Sequence, residues 1–176
     1  FGGFSLYEFH KDNTSISPIQ MSTEFRARLN DSIVLVHTKR YRSASTILEE
    51  QVQKTRDGKV DNDLEAIKSL CYEARTLFQG KHPDTDLIDL GRMLSETWRI
   101  KRSLSSSMSN ADLDDIYDRS MSLGAYGGKL AGAGGGGFFM FLAPPETIRK
   151  MREVFGDDRV VKIEFQDEGS RLMKAF

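Results

Sequence analysis

The chain has 176 residues, 39% hydrophobic and 29% charged, with a formal net charge of −1. That balance fits a globular chain long enough for a real core and excludes disorder or a general pull toward nucleic acid or an anionic membrane surface. Cys71 is the one cysteine, which excludes an intramolecular disulfide framework. No apolar run approaches the roughly 18 residues a bilayer-spanning helix needs, so with no visible signal sequence the cytoplasm is the expected compartment.

The chain opens on Phe1-Gly2-Gly3 without an initiator Met, at what reads as the edge of a strand, and is expected to be a piece of a longer protein. Phe4, Leu6 and Phe9 alternate with polar neighbours, Asp12-Asn13 supply turn chemistry, and Ser15 to Ile19 return as a second strand. A two-stranded hairpin is marginal alone, so residues 1–20 are expected to belong to the sheet of a separate N-terminal domain and 21–176 to form the domain proper. Ile33-Val34-Leu35-Val36 reads as a buried strand over 32–37. After the basic turn Lys39-Arg40-Tyr41-Arg42-Ser43, Ser43 or Ser45 caps a helix running through Gln53.

Leu64, Ile67, Leu70, Cys71, Ala74, Leu77 and Phe78 recur at helical spacing, with Asn62 and Glu65 as a capping box and Cys71 as a small core residue. Asp86 precedes a third helix on Leu87, Leu90, Leu94, Thr97 and Trp98, with Trp98 in the core. Ser109 precedes a fourth, over 110–123. Strands follow at 128–131 and 138–142. Pro144-Pro145 start a helix over 145–155 that Gly156 ends, a strand covers 159–165, and Gly169 turns into a last strand near Leu172. The sum is an α+β chain of β-α-β-β-α-β order, a ferredoxin-like split βαβ plan with helices inserted after its first strand.

The segment Gly132-Ala133-Gly134-Gly135-Gly136-Gly137 is five glycines in six residues. So glycine-rich a loop is kept where the backbone needs positive φ or a close approach, and successive backbone N–H groups there suit an anion. Gly132, Gly134 and Gly137 satisfy G-x-G-x-x-G, but the aromatic strand Phe138–Leu142 follows instead of a helix, which argues against a dinucleotide fold. Lys129 lies before the glycines, which argues against a Walker A loop. A tight strand connection remains the bland alternative.

Gly128-Lys129-Leu130-Ala131-Gly132-Ala133-Gly134-Gly135-Gly136-Gly137-Phe138 resembles the third, C-terminal motif of the GHMP kinases. Trp98-Arg99-Ile100-Lys101-Arg102-Ser103-Leu104-Ser105 is similar to the W-x-x-K-x-S-L-S segment of the branch acting on D-glycero-D-manno-heptose 7-phosphate, with fucokinase-type enzymes as near relatives. The resemblance implies a GHMP C-terminal domain and transfer of the γ-phosphoryl of ATP, with Mg2+, to a sugar phosphate. It also implies a partner N-terminal domain that carries the main nucleotide loop and, just upstream of Phe1, the acid near the acceptor hydroxyl. No residue of this chain is assigned as catalytic base or metal ligand.

The glycine loop, Gly132 to Gly137, is expected to border the nucleotide phosphates. Arg42, Ser43, Lys101 and Lys129 are the expected sugar-phosphate contacts, although sequence does not say which of Lys101 and Arg102 faces the cleft. Asp12, Asp31, Asp57 and Asp61 read as turn residues and Asp86 and Asp112 as caps or first-turn charges. His10, His37 and His82 share no metal-ligand spacing. A fucokinase-like or other GHMP sugar kinase, and a non-catalytic ferredoxin-like ligand-binding or association module suggested by the exposed hairpin edge, are the alternatives.

Overall fold

The computed structural model describes residues 2–40, 44–79, 83–105 and 107–170. Strands β1 (Ser5–Phe9) and β2 (Thr14–Pro18) form the expected antiparallel hairpin, closed by a His10 N–H to Asn13 carbonyl bond of 2.9 Å. Its base is tied to the body of the molecule. Gly3 N–H donates to the Gln166 carbonyl at 2.8 Å, and Phe4 packs against Phe165 and Phe78 with ring centroids 4.4 and 5.2 Å away.

Helix α1 (Thr23–Ser32), for which the sequence analysis has no counterpart, follows the hairpin. Ser22 caps it by accepting from Phe25 N–H at 3.1 Å, and Phe25, Leu29 and Ser32 are its buried residues. Two large apolar residues among charged neighbours leave a faint helical period, which is why it is hard to read. Asp31 therefore lies on a helix, not in a turn.

Strand β3 (Ile33–His37) leads to the inserted helices α2 (Ala44–Arg56), α3 (Asp61–Phe78), α4 (Pro83–Leu104) and α5 (Ala111–Ser122). Strands β4 (Gly127–Leu130) and β5 (Phe138–Leu142), helix α6 (Pro145–Phe155) and strand β6 (Val160–Lys162) complete the chain. The four-stranded sheet has the order β4-β5-β3-β6 with every neighbour antiparallel. This is the ferredoxin-like α+β arrangement that the strand and helix order predicts.

The sheet is covered on both faces. Val34, Val36, Phe139 and Phe141 alternate onto one face, where Leu113 and Ile116 of α5 and Met151 and Phe155 of α6 complete a core with Trp98. Trp98 is buried and meets Phe139 edge-on at 5.3 Å, as expected of a core residue. Ile33 and Leu142 turn to the other face, with Phe25, Leu29, Leu87 and Leu90.

Several local expectations are corrected. Helix α4 starts at Pro83, so Asp86 is not its cap but sits buried in the first turn; proline suits a helix start because its φ is preset. Helix α3 starts at Asp61 behind Val60, without a side-chain cap, so the Asn62–Glu65 box does not form and Asp61 belongs to the helix. Asn110, not Ser109, caps α5, because its side chain accepts from both Asp112 and Leu113 N–H at 3.1 Å. Cys71 is exposed, since α3 buries none of its residues fully. Strand β6 is shorter than 159–165, and the strand expected near Leu172, like His82, lies outside the described residues.

Candidate functional site

The glycine loop joins β4 to β5, and Gly132, Gly134, Gly135 and Gly137 have φ of 77, 114, 74 and 94°. These are conformations that L side chains avoid, so the glycines are required by backbone geometry. One side of the loop is packed. A Cβ on Gly134 would stand 2.1 Å from Met108 Sδ, and one on Gly136 would stand 2.5 Å from the Arg40 carbonyl oxygen. Gly132 and Gly137 have nothing within 4 Å of a built Cβ, and Ala133 lies half-buried between.

Two turns hold the packed side. Gly135 N–H donates to the Met108 carbonyl at 3.1 Å, and Gly137 N–H donates to the Arg40 carbonyl at 3.0 Å. Thr38 N–H and Oγ1 both donate to the Gly137 carbonyl at 2.9 Å. The expected row of amides turned toward an anion is therefore interrupted at residues 135 and 137, whose donors fix the loop to the ends of β3 and α4. Sequence reasoning missed Met108, which is fully buried and carries no motif signal.

Helix α4 brings Lys101 to the start of the loop. It crosses β4 at a close approach of Gly91 to Gly127, where a Cβ on Gly127 would lie 1.8 Å from the Gly91 carbonyl oxygen. Lys101 lies nearly three turns further along and donates from Nζ to the Gly132 carbonyl at 3.0 Å. Lys129 stands on β4, three residues before Gly132. Burial lowers the Lys101 ammonium below the ordinary lysine range; burial, and then the charge of Lys101, do the same for Lys129.

The neighbouring cations are neutralised. Arg102 turns to Asp114 of α5 at 3.2 Å, so Lys101 is the member of that pair that reaches the loop. Lys39, in a left-handed conformation at φ 55°, pairs with Asp158 at 2.9 Å, and Arg40 pairs with Asp112. Asp112 is thus a first-turn charge with a partner. Among the described residues neither Lys101 nor Lys129 has a carboxylate at ion-pair distance. Arg42 and Ser43 lie outside the described residues.

The end of α4 is held by α2. Ser105, buried, donates from Oγ to Glu50 and accepts from Ser107 N–H at 3.1 Å, while Lys54 Nζ donates to the Leu104 carbonyl at 2.7 Å and pairs with Glu50 at 3.0 Å. The turn that carries Met108 is thereby anchored from behind. His37 stacks on Phe138 with centroids 4.7 Å apart, and His10 is exposed on the hairpin. Among the described residues no three His, Cys, Asp or Glu side chains gather to hold a metal ion, so none of them is assigned a part in magnesium binding.

A family profile described as GHMP kinases C terminal matches residues 62–158. The chain is 33% identical over 147 residues, 82% of its length, to a D-glycero-alpha-D-manno-heptose 7-phosphate kinase of Campylobacter jejuni, of which it covers 42%. It is 27% identical over 141 residues, 78% of its length, to a bifunctional fucokinase/GDP-fucose pyrophosphorylase of Arabidopsis thaliana, of which it covers 13%. The fold is similar to that of an L. major mevalonate kinase solved with R-mevalonate, with TM-score 0.74 and 19% identity over 96% of this chain and 51% of that one. The chain thus spans less than half the length of the two curated relatives.

Proposed function

Because this chain belongs to the GHMP kinase family, we propose that it is the C-terminal part of an ATP-dependent sugar kinase moving the γ-phosphoryl group of Mg-ATP to the anomeric hydroxyl of D-glycero-D-manno-heptose 7-phosphate. The observation that carries this reading is the glycine loop, held at positive φ, fixed on one side and open at Gly132 and Gly137. The similarity to the Campylobacter heptose 7-phosphate kinase supports the choice of sugar.

Phosphoryl transfer needs positioned reactants and fixed positive charge more than it needs covalent chemistry from the protein. In this reading Gly132–Gly137 border the nucleotide phosphates and supply a surface that need not reorganise during transfer. Arg42, Ser43, Lys101 and Lys129 hold the acceptor by its existing phosphate. The main nucleotide loop and the acid beside the acceptor hydroxyl belong to the N-terminal domain, to whose sheet residues 1–20 add a hairpin. Phe9, 80% exposed on that hairpin, is one apolar surface for such a junction.

The reading is tested by incubating the full-length protein with Mg-ATP and either heptose 7-phosphate, unphosphorylated heptose or fucose. Turnover is expected with the phosphorylated heptose, and Arg42→Ala is expected to raise KM for it more than KM for ATP. The isolated 176-residue chain is expected to show no sugar-dependent ATP turnover. Preferred turnover of fucose would favour the second reading, a fucokinase-like enzyme, which the similarity to the Arabidopsis protein supports.

A further inference from the structure

We propose that the outward face of α2 is a self-association surface, on which two copies of the protein pair through antiparallel α2 helices about a two-fold axis. The helix has two sides of different character. Glu50, Gln51 and Lys54 are half-buried, and Glu50 and Lys54 hold the end of α4 and each other. Leu48, Glu49, Val52, Gln53, Thr55 and Arg56 all turn to solvent.

The first ground is shape. Leu48 and Val52, 47% and 48% exposed, lie one turn apart and form an apolar ridge along α2. Two hollows share Leu48, Val52 and Arg56 as a wall. One, of about 310 Å3, continues to Val60, Leu104 and the 39% exposed Leu64 of α3; the other, of about 520 Å3, continues to Glu49 and Gln53. A ridge between hollows is what interdigitating helices require, and exposed large apolar side chains gathered in one place mark an interaction surface. The hairpin does not cover this face. It meets α3 at Tyr72, eight residues and about 12 Å along the helix from Leu64.

The second ground is charge, and it selects a second copy as the occupant. Among the described residues Glu49 and Arg56 have no ion-pair partner, whereas Glu50 pairs with Lys54, and Asp57 is held by Gln53 and Lys59. Glu49 and Arg56 lie two turns, about 10 Å, apart on the same flank of the ridge. A two-fold axis between antiparallel helices keeps each flank on its own side and reverses its direction. Glu49 of each copy therefore meets Arg56 of the other, twice over, while Val52 meets its counterpart near the axis. This is the self-complementarity that an isologous contact demands. One helix face per copy is a small interface, so the dimer is expected to be reversible, with Kd on the order of 10 μM.

Sedimentation equilibrium of the full-length protein from about 1 to 200 μM tests this, with the average mass expected to rise from one chain toward two. Val52→Glu is expected to hold the protein monomeric throughout. Glu49→Arg and Arg56→Glu each set two like-charged pairs across the axis and are expected to raise Kd at least about tenfold, and the double variant to return it to within about threefold of the wild type. All three positions are exposed on α2, and recovery in a chain that carries both charge reversals excludes misfolding as the cause of the single losses.

A protein that stays monomeric at every concentration would overturn the proposal and leave the face to another partner, the N-terminal domain included. So would a dimer indifferent to Val52→Glu, which would place the contact elsewhere, or charge reversals that do not compensate each other. Association needs no turnover, so this outcome stands apart from that of the kinase assay.

Discussion

A lysine drawn out of water without a counter-charge works against the folded state that holds it. The Lys129 ammonium is held below the ordinary lysine range by burial and then by Lys101. The unfolded chain therefore binds more protons across that interval, and the penalty, complete below the folded-state pKa, is relieved as pH rises through it. Lys129→Met is accordingly expected to stabilise the protein at pH 7, by roughly 0.5–2 kcal/mol as for other relieved functional sites. The gain should shrink toward pH 10, as read by urea unfolding at both values. A variant no more stable than wild type at pH 7 would contradict this. Gly135→Val places a β-branched residue at φ 74° and is expected to cost roughly 1–2 kcal/mol and lower kcat/KM at least about tenfold with the far-ultraviolet circular dichroism unchanged. Unaltered kinetics would reduce the loop to a strand connection. The loop was legible in sequence because positive φ is written in residue type. The charge imbalance at Lys101 and Lys129 was not, since which cations find carboxylates depends on where α4 and α5 come to rest.

Helix α4 is the element on which the site depends. Its crossing of β4 leaves no room for a methyl group, so Gly127→Ala is expected to cost roughly 1–3 kcal/mol by overpacking and, by moving α4, to weaken phosphate binding at Lys101 as well. Thermal unfolding together with phosphate titration would check both effects; an intact titration would show that the crossing does not position the lysine. Ser22→Ala removes the acceptor for Phe25 N–H and is expected to cost about 1 kcal/mol, measurable by denaturant unfolding. Strongly periodic helices such as α5 and α6 could be read closely from their apolar spacing. Helix α1 could not, because Phe25 and Leu29 alone carry its period, and the start of α4 could not, because Asp86 imitates a cap while lying inside the first turn.

At the scale of the molecule, the order of strands and helices was legible because each strand is a short apolar run bounded by turn residues, and β-α-β-β-α-β order leaves few sheet topologies. The placement of the hairpin was less so. Its base locks onto the body through Phe4, Phe165 and Phe78, while Tyr72 of α3 donates to Glu8 at 2.7 Å and lowers that carboxyl below its ordinary range. These long-range contacts join residues far apart in sequence, and no local pattern announces them. The central claim is that the glycine loop and the lysine pair face a phosphoryl transfer to a sugar that already bears a phosphate. Its most direct test is 31P nuclear magnetic resonance of the full-length protein with Mg-ATP and D-glycero-D-manno-heptose 7-phosphate. The account predicts a new anomeric phosphate resonance growing as the γ-phosphate signal of ATP declines. A γ-phosphate signal that declines only into inorganic phosphate, or does not decline at all, would contradict it.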